Sequence, residues 1–178
     1  TSFFYTKDTL LSSNTNRVTS EMKSITNYTG NEGEEKAQKT YNYNFSGNQI
    51  KTITTFTYTN DALVLSETNR AGNVTGNTKE VVIGDVKSET MYTGNEGEEK
   101  AEKTYNYDFE GNNVKTTTTF TYTADALELS VTTKLKDGDV RKSETTYTGN
   151  EGEEKAQKTY NYSFDGLQIK TITSFFYT

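Results

Sequence analysis

Large apolar and polar residues alternate along much of the chain, as they do in strands that cover one side of a sheet. Tyr41, Tyr43 and Phe45 alternate with Asn42 and Asn44, which predicts aromatic side chains on one face and amides on the other. In the middle of the chain the same pattern predicts four strands, at about 84–93, 98–109, 113–123 and 126–134. The alternation therefore predicts an all-β fold.

A glycine-containing turn predicts how the first of these strands pairs with its neighbour. Gly47-Asn48 is typical of a two-residue type II′ turn, in which glycine supplies the positive φ of the first central position. This turn would place Phe45 opposite Ile50 and Tyr43 opposite Thr52. We expect the large apolar side chains of both strands on the same, buried face.

A second two-residue turn leads to the same conclusion. Asn60-Asp61 would place Tyr58 opposite Leu63 and Phe56 opposite Leu65. Because a slip of one residue would expose all of these side chains, the two turns agree on one register. The opposite face carries threonine, asparagine, lysine and glutamate, and we expect it to face water.

An eight-residue motif, TGNEGEEK, occurs three times and begins at Thr29, Thr93 and Thr148. Each copy predicts a type I turn followed by a glycine in the left-handed conformation. These glycines are Gly33, Gly97 and Gly152. Each copy is followed by a KTYNY segment, a turn and a threonine-rich strand such as IKTITTFTYT. Such self-similarity indicates a repeat architecture.

The repeats divide a single repeat domain, 1–178, into units of unequal length. Repeat 1 covers about 1–53, repeat 2 about 54–117 and repeat 3 about 118–172, and residues 173–178 start the next unit. We expect an antiparallel meander of about 12–13 strands from three imperfect four-strand repeats. It would form an elongated β-solenoid, a β-spiral or an open sheet, with a closed β-barrel as the alternative.

The hexapeptide TSFFYT stands at both ends of the chain, at 1–6 and at 173–178. We interpret the two copies as the same strand of the repeat, with free edges that could join to another copy. The predicted assembly edges are Thr1, Ser2, Phe3, Phe4, Tyr5, Thr6, Thr173, Ser174, Phe175, Phe176, Tyr177 and Thr178. Identical strands favour head-to-tail stacking or a longer tandem array over closure, because closure needs complementary strands.

Composition and charge narrow the class of protein. Hydrophobic residues make up 30% of the chain and the mean hydropathy is −0.87, but 13 Tyr, 9 Phe and no Pro favour ordered strands over disorder. The net charge of −6 argues against nucleic acid as a partner. The chain also lacks an apolar run long enough to insert into a membrane.

Candidate chemistry is sparse. Because the chain has no Cys and no His, disulfides, thiolate nucleophiles, ordinary zinc and haem sites and a histidine base are excluded. Glu32, Glu34 and Glu35 could bind Ca²⁺. A solvated turn that offsets the charge of the adjacent Lys36 is the favoured interpretation, since the D-x-D-x-D-G spacing is absent. An active site does not normally occur in triplicate, so we expect no enzyme and no cofactor.

The segment Tyr105-Asn106-Tyr107-Asp108-Phe109-Glu110-Gly111-Asn112 resembles the YD/Rhs-type repeats of large bacterial surface and toxin proteins. The chain is also similar to Thr/Tyr-rich tandem repeats of bacterial cell-surface proteins. The resemblance covers about a third of each repeat, and Asn44 and Ser163 replace the aspartate in the other two copies. It implies an antiparallel β-spiral or solenoid with an encapsulating, adhesive or structural role at the cell surface.

Two function classes follow. The first is a structural protein that forms or belongs to an extended extracellular fibre or surface stalk, with copies of itself as the partner. The alternative is a ligand-binding surface module. Threonine tracts at Thr52–Thr57 and Thr116–Thr119 could order water as ice-binding proteins do, and aromatic and amide side chains could bind carbohydrate.

Overall fold

A computed structural model describes residues 1–134 and 140–177, and Thr178 lies outside this part. The described residues form thirteen β-strands and no helix. The strands are β1 (Ser2–Thr6), β2 (Thr9–Asn16), β3 (Met22–Thr29), β4 (Lys36–Tyr43), β5 (Ile50–Thr59), β6 (Ala62–Ala71), β7 (Ile83–Thr93), β8 (Lys100–Tyr107), β9 (Val114–Thr123), β10 (Ala126–Lys134), β11 (Val140–Thr148), β12 (Lys155–Tyr162) and β13 (Ile169–Ser174).

The thirteen strands pair in sequence order in one antiparallel sheet. β1 and β13 stand at the two ends of this order and do not pair with each other within the described residues. The predicted antiparallel meander is therefore confirmed as an open sheet, and the closed-barrel alternative is wrong. The four strands predicted in the middle of the chain are confirmed as β7 to β10, with end points that differ by at most two residues.

The chain divides into two compact units. The first consists of residues 1–89 and 95–97, and contains β1 to β6 and the first part of β7. The second consists of residues 90–94 and those from 98 onward, and contains the end of β7 and β8 to β13. No described segment is a helix long and apolar enough to cross a membrane.

The turn at Asn60-Asp61 has the predicted two-residue form. Both residues have positive φ, 48° and 68°, which is typical of a type I′ turn. Tyr58 lies opposite Leu63 as predicted. Phe56 lies opposite Ser66 instead of the predicted leucine, because a β-bulge shifts the register beyond the turn.

The loop after β4 is wider than the predicted two-residue turn, which is wrong. Asn44 N donates to Gln49 O (2.8 Å) and Gly47 N to Asn44 O (3.1 Å), so four residues lie between the hydrogen-bonded Asn44 and Gln49. The side chain of Asn44 stabilises this loop by accepting a hydrogen bond from Asn48 N at 3.1 Å. In the later copies, Asp108 accepts from Asn112 N (2.8 Å) and Ser163 from Gln168 N (3.0 Å).

The wider loop changes the predicted pairs. Tyr43 lies opposite Ile50, while Phe45 lies outside the ladder and is 84% exposed. Its expected place on a buried face is therefore wrong. The guanidinium of Arg17 instead lies 5.3 Å from the centre of the Phe45 ring, a distance at which a cation is attracted to an aromatic face.

The glycines of the TGNEGEEK motif have the predicted positive φ, 81° at Gly33, 82° at Gly97 and 78° at Gly152. Glu34 N donates to Asn31 O at 3.0 Å, so Gly33 is the third residue of its turn. A positive φ at this position is typical of a type II turn, and the predicted type I turn is wrong.

Aromatic side chains lie on both faces of the sheet, so the predicted single buried face is wrong. Tyr41 lies opposite Ile53 on one face. On the other face, threonine hydroxyls of adjacent strands hydrogen-bond to each other, as Thr54 does to Thr68 at 2.9 Å. Phe56 follows Thr54 by two residues and therefore shares the threonine face.

The buried core of the first unit is formed by Tyr41, Ile50 and Ile53. The insertion between β6 and β7 covers it: Thr75 O accepts from Ile50 N at 2.8 Å, and Val81 packs on the cluster. The insertion is therefore a cap that removes apolar side chains of a single-layer sheet from water.

Candidate assembly interface

A lysine cluster connects three turns of the first unit, those between β3 and β4, β5 and β6, and β7 and β8. Lys36 Nζ lies 2.9 Å from Asp61 Oδ1 and 2.9 Å from Glu96 Oε1. It also lies 5.7 Å from the centre of the Tyr58 ring. Lys36 ends one TGNEGEEK motif, Asp61 belongs to the next two-residue turn, and Glu96 belongs to the next motif. One cation therefore links two turns and an aromatic ring.

The second unit contains the same lysine cluster. Lys100 Nζ lies 2.8 Å from Asp125 Oδ1 and 3.1 Å from Glu151 Oε1. The ring of Tyr122 is 5.8 Å away. The lysine and the aspartate are 25 residues apart in both clusters. The cluster is thus a property of the repeat.

Both lysines are held in the charged form. Hydrogen bonds to Asp125 and Glu151 raise the pKa of Lys100 against the opposing effect of burial. Burial works to lower the pKa of Lys36, but the hydrogen bonds and charges of Asp61 and Glu96 outweigh it and raise the pKa overall. At neutral pH the clusters are ion pairs.

The third cluster is only half present within the described residues. Lys155 Nζ lies 5.2 Å from the centre of the Tyr177 ring, but no carboxylate of residues 1–134 and 140–177 forms an ion pair with it. The N-terminal repeat contains the other half. Asp8 is the equivalent of Asp61, and Glu32 is the equivalent of Glu96.

A tyrosine hydrogen bond recurs beside each lysine. Tyr58 Oη donates to Ala37 O at 2.9 Å, Tyr122 Oη to Ala101 O at 3.0 Å, and Tyr177 Oη to Ala156 O at 2.8 Å. The equivalent residue in β1 is Tyr5, which is 59% exposed. Among the described strands, none precedes β1 in the sheet order to accept this hydrogen bond.

The first predicted edge, 1–6, lies at one end of the sheet order. Ser2–Thr6 form β1, and every residue of this strand is exposed. Thr1 precedes it, and its Oγ1 lies 3.2 Å from Thr15 Oγ1. Large apolar side chains, among them Phe3 and Phe4, are therefore open to solvent along this edge.

The described part of the second predicted edge, 173–177, lies at the other end. Thr173 and Ser174 end β13. Phe175 continues the ladder with one hydrogen bond, from its N to Gln157 O at 3.0 Å. Phe176 is 91% exposed. The segment thus pairs with β12 on one side, and none of the described strands pairs with it on the other.

The candidate calcium residues do not form a common site. Glu35 accepts hydrogen bonds from Leu10 N (2.9 Å) and Gly33 N (2.9 Å), and Glu34 accepts one from Asn31 Nδ2 at 3.3 Å. Across the described part of the chain, no group of three or more acidic side chains is placed to hold a metal ion. Glu32 is the sequence equivalent of Glu96, which belongs to the lysine cluster of the first unit.

We expect the turn glutamates to make stability depend on pH. The hydrogen bond from Leu10 N lowers the pKa of Glu35, and that from Leu127 N lowers the pKa of Glu154, from an ordinary value of 4.5. The stability that a lowered pKa contributes is complete above the ordinary value and is lost as the pH falls through the lowered one. Urea unfolding midpoints should therefore drop below about pH 4.5.

A Glu35→Gln/Glu154→Gln variant should lose part of this dependence between about pH 5 and pH 3, because its amides do not titrate. Glu34→Gln is the matched control, since Glu34 lies in the same motif but does not accept the Leu10 hydrogen bond. Parallel curves for the double variant and the unmodified protein would contradict the assignment.

The edge strands were predicted from the sequence, but the lysine clusters were not. The glutamates of the turn were expected to offset the adjacent Lys36, whereas its ion-pair partners Asp61 and Glu96 lie far along the chain. The available signal was the spacing of 25 residues between the lysine that ends a motif and the aspartate of the next turn, from Lys36 to Asp61 and from Lys100 to Asp125.

The chain matches no protein-family model and no curated protein. The resemblance to YD/Rhs-type repeats therefore stays a prediction, as does the cell-surface location that it implies.

Proposed function

We propose that the chain is a structural repeat protein that forms, or belongs to, an extended extracellular fibre or surface stalk. Its partner is another copy of itself, joined by continuation of the sheet between chains or by covalent tandem repetition. One observation carries the proposal: among the described residues, the recurring lysine cluster has at Lys155 a cationic half that forms no ion pair, and its anionic half is at Asp8 and Glu32.

The residue types of the edge strand β1 support this proposal. An edge strand offers unpaired backbone groups to another strand, and proteins usually block it with charges or proline. The sequence of β1, SFFYT, contains neither. We propose that this edge binds another copy and is not protected from it.

Light scattering during size exclusion, combined with negative-stain microscopy, tests the proposal. The chain should exceed its monomer mass of 20.0 kDa as concentration rises and should form linear particles. For the covalent form, a two-block chain in which residue 178 is followed directly by residue 7 of a second copy should unfold at a higher urea concentration than one block.

Two results together would contradict the proposal. One is a chain that remains at 20.0 kDa at every concentration. The other is a two-block chain whose blocks unfold at the midpoint of the single block.

A ligand-binding surface module is the second candidate, and one observation favours it. A groove of about 610 Å³ in the first unit is lined by Gln38, Phe56 and Tyr58 among others, and aromatic faces with amides suit carbohydrate. Titration with oligosaccharides tests it: saturable binding by a monomeric chain would favour this candidate. Neither proposal includes enzymatic activity or a cofactor.

A further inference from the structure

We infer that copies of this chain join by strand exchange: the C-terminal TSFFYT segment of one copy takes the place of β1 in the next copy and pairs with its β2. This inference rests on the proposed self-assembly and specifies its contact. The occupant of the edge is thus a second copy of the chain, which carries the six residues of the strand that it displaces.

The internal strand β5 shows which neighbours the TSFFYT segment would have if it lay inside the sheet. The second half of β5, TTFTYT at 54–59, is the equivalent of TSFFYT. Thr55 in this segment pairs with Lys39 of β4 on one side and with Glu67 of β6 on the other. This internal copy of the segment is therefore paired with a strand along both of its edges.

Each terminal copy of TSFFYT has one of these two neighbours. In β1, Ser2 pairs with Asn14 of β2, and no strand precedes it in the sheet order. At the C-terminal end, Ser174 pairs with Lys158 of β12, and none of the described strands follows β13 in the sheet order. If residues 173–178 of one copy pair with β2 of the next copy, this segment has a neighbour on each side: β12 of its own copy and β2 of the next.

The register of the exchanged strand follows from β1. Phe3 lies opposite Ser13, Phe4 opposite Ser12 and Tyr5 opposite Leu10. Because the two hexapeptides are identical, the incoming strand can adopt the same pairs. These are Ser174 opposite Asn14, Phe175 opposite Ser13, Phe176 opposite Ser12 and Tyr177 opposite Leu10.

The exchange also completes the third lysine cluster. In both complete clusters the aspartate comes from the turn that follows the tyrosine strand. Once Tyr177 has replaced Tyr5 of the next copy, the turn that follows is that of Asp8, and the next TGNEGEEK motif supplies Glu32. Lys155 of one copy would then lie between these two carboxylates of the next.

The balance of contacts favours exchange. The pairing that β1 loses with β2 is replaced by the same pairing from an identical strand, so that change is nearly neutral. The contacts that Phe175 and Phe176 gain on β2 likewise replace those that Phe3 and Phe4 lose. The net gain is therefore the pair of ionic contacts that Lys155 makes with Asp8 and Glu32 of the next copy. Because β1 must first detach, assembly should be slow compared with diffusional encounter.

Introduced cysteines test the contact, since the chain has none of its own. In an Asn14→Cys/Ser174→Cys variant, mild oxidation of the assembled protein should give a ladder of bands at multiples of 20.0 kDa on a non-reducing gel. A matched Ser2→Cys/Asn14→Cys variant should give closed monomers when dilute, because these positions pair within one molecule.

Charge reversal gives an independent measurement. Lys155→Glu should raise the concentration needed for half-assembly by about tenfold, because two attractions become repulsions. The triple variant Lys155→Glu/Asp8→Lys/Glu32→Lys should restore assembly to within about threefold of the unmodified protein. Lys142→Glu, the same charge change at an exposed position of β11, is the control and should change it by less than about threefold.

The outcomes separate this inference from the proposed function. Filaments that form without a cysteine 14–174 ladder, or charge reversal without rescue, would overturn strand exchange and leave self-assembly standing. A chain that never assembles would overturn strand exchange as well, and the two-block chain then decides the proposed function by itself.

Discussion

Replacing Ile53 by alanine should lower the free energy of unfolding of the first unit by about 2–5 kcal/mol. Ile53 is 1% exposed and packs with Tyr41 and Ile50. The residues that surround it are held in place by the capping insertion, so the cavity cannot easily collapse. Since folded domains are stable by only about 5–15 kcal/mol, this is a large part of the total. Urea unfolding followed by circular dichroism measures the change.

Ile172 provides a matched control for this substitution. It occupies the same position in the third repeat and pairs with Tyr160 as Ile53 pairs with Tyr41, but it is 58% exposed. Ile172→Ala should therefore cost less than about 1 kcal/mol, because little apolar surface is removed from water at this position. Equal losses for the two variants would show that the insertion does not act as a cap.

Gly30→Ala should destabilise the first unit by about 3 kcal/mol or more, the upper range for strained backbone. Gly30 has φ of 136°, and a Cβ atom there would lie 2.5 Å from the carbonyl oxygen of Glu34. This clash is with backbone, which cannot rotate away. The turn that carries Glu32 and leads to Lys36 would have to change shape.

Gly33→Ala in the same turn separates the clash from the cost of positive φ alone. Gly33 has φ of 81°, and a Cβ atom there meets nothing within 4 Å. Its substitution should cost only about 1 kcal/mol, the penalty of the left-handed region for a residue with a side chain. A Gly30→Ala variant as stable as Gly33→Ala would show that the turn relaxes around the methyl group.

The secondary structure was predictable from the sequence because local signals agreed with it. The alternation in β7 to β10 gave their positions, and Asn60-Asp61 gave its turn because these residues tolerate positive φ. The loop at Asn44 was not predictable in the same way. Its side chain competes with the backbone for hydrogen bonds and opens a wider loop, which shifts the pairing of Tyr43.

The buried face of the sheet and the core residues were harder to predict from the sequence. The alternation of residues assigns side chains to the two faces of a strand. It does not show which face is buried when the sequence predicts no second layer that would pack on the sheet. In β5, Ile53 and Phe56 lie on opposite faces, and Ile53 is buried because of an insertion in another part of the sequence. The position of that insertion was visible in the sequence, but its packing on β4 and β5 depends on long-range contacts.

The edge strands of the candidate interface could be predicted from the sequence, but its ion pairs could not. Two identical hexapeptides identify equivalent strands by inspection, which singled out 1–6 and 173–178. The lysine clusters depend on which turns meet across the sheet, and register shifts at the bulges set that geometry. With the register known, Lys155, Asp8 and Glu32 become parts of one arrangement.

Electron cryomicroscopy of the assembled chain tests most directly whether copies continue one another through the shared TSFFYT strand. We predict one continuous antiparallel ladder with twelve strands for each copy, β2 to β13, and with Lys155 of one copy beside Asp8 of the next. A map in which copies meet through the faces of their sheets, or in which each copy keeps its own β1 at the junction, would contradict this account.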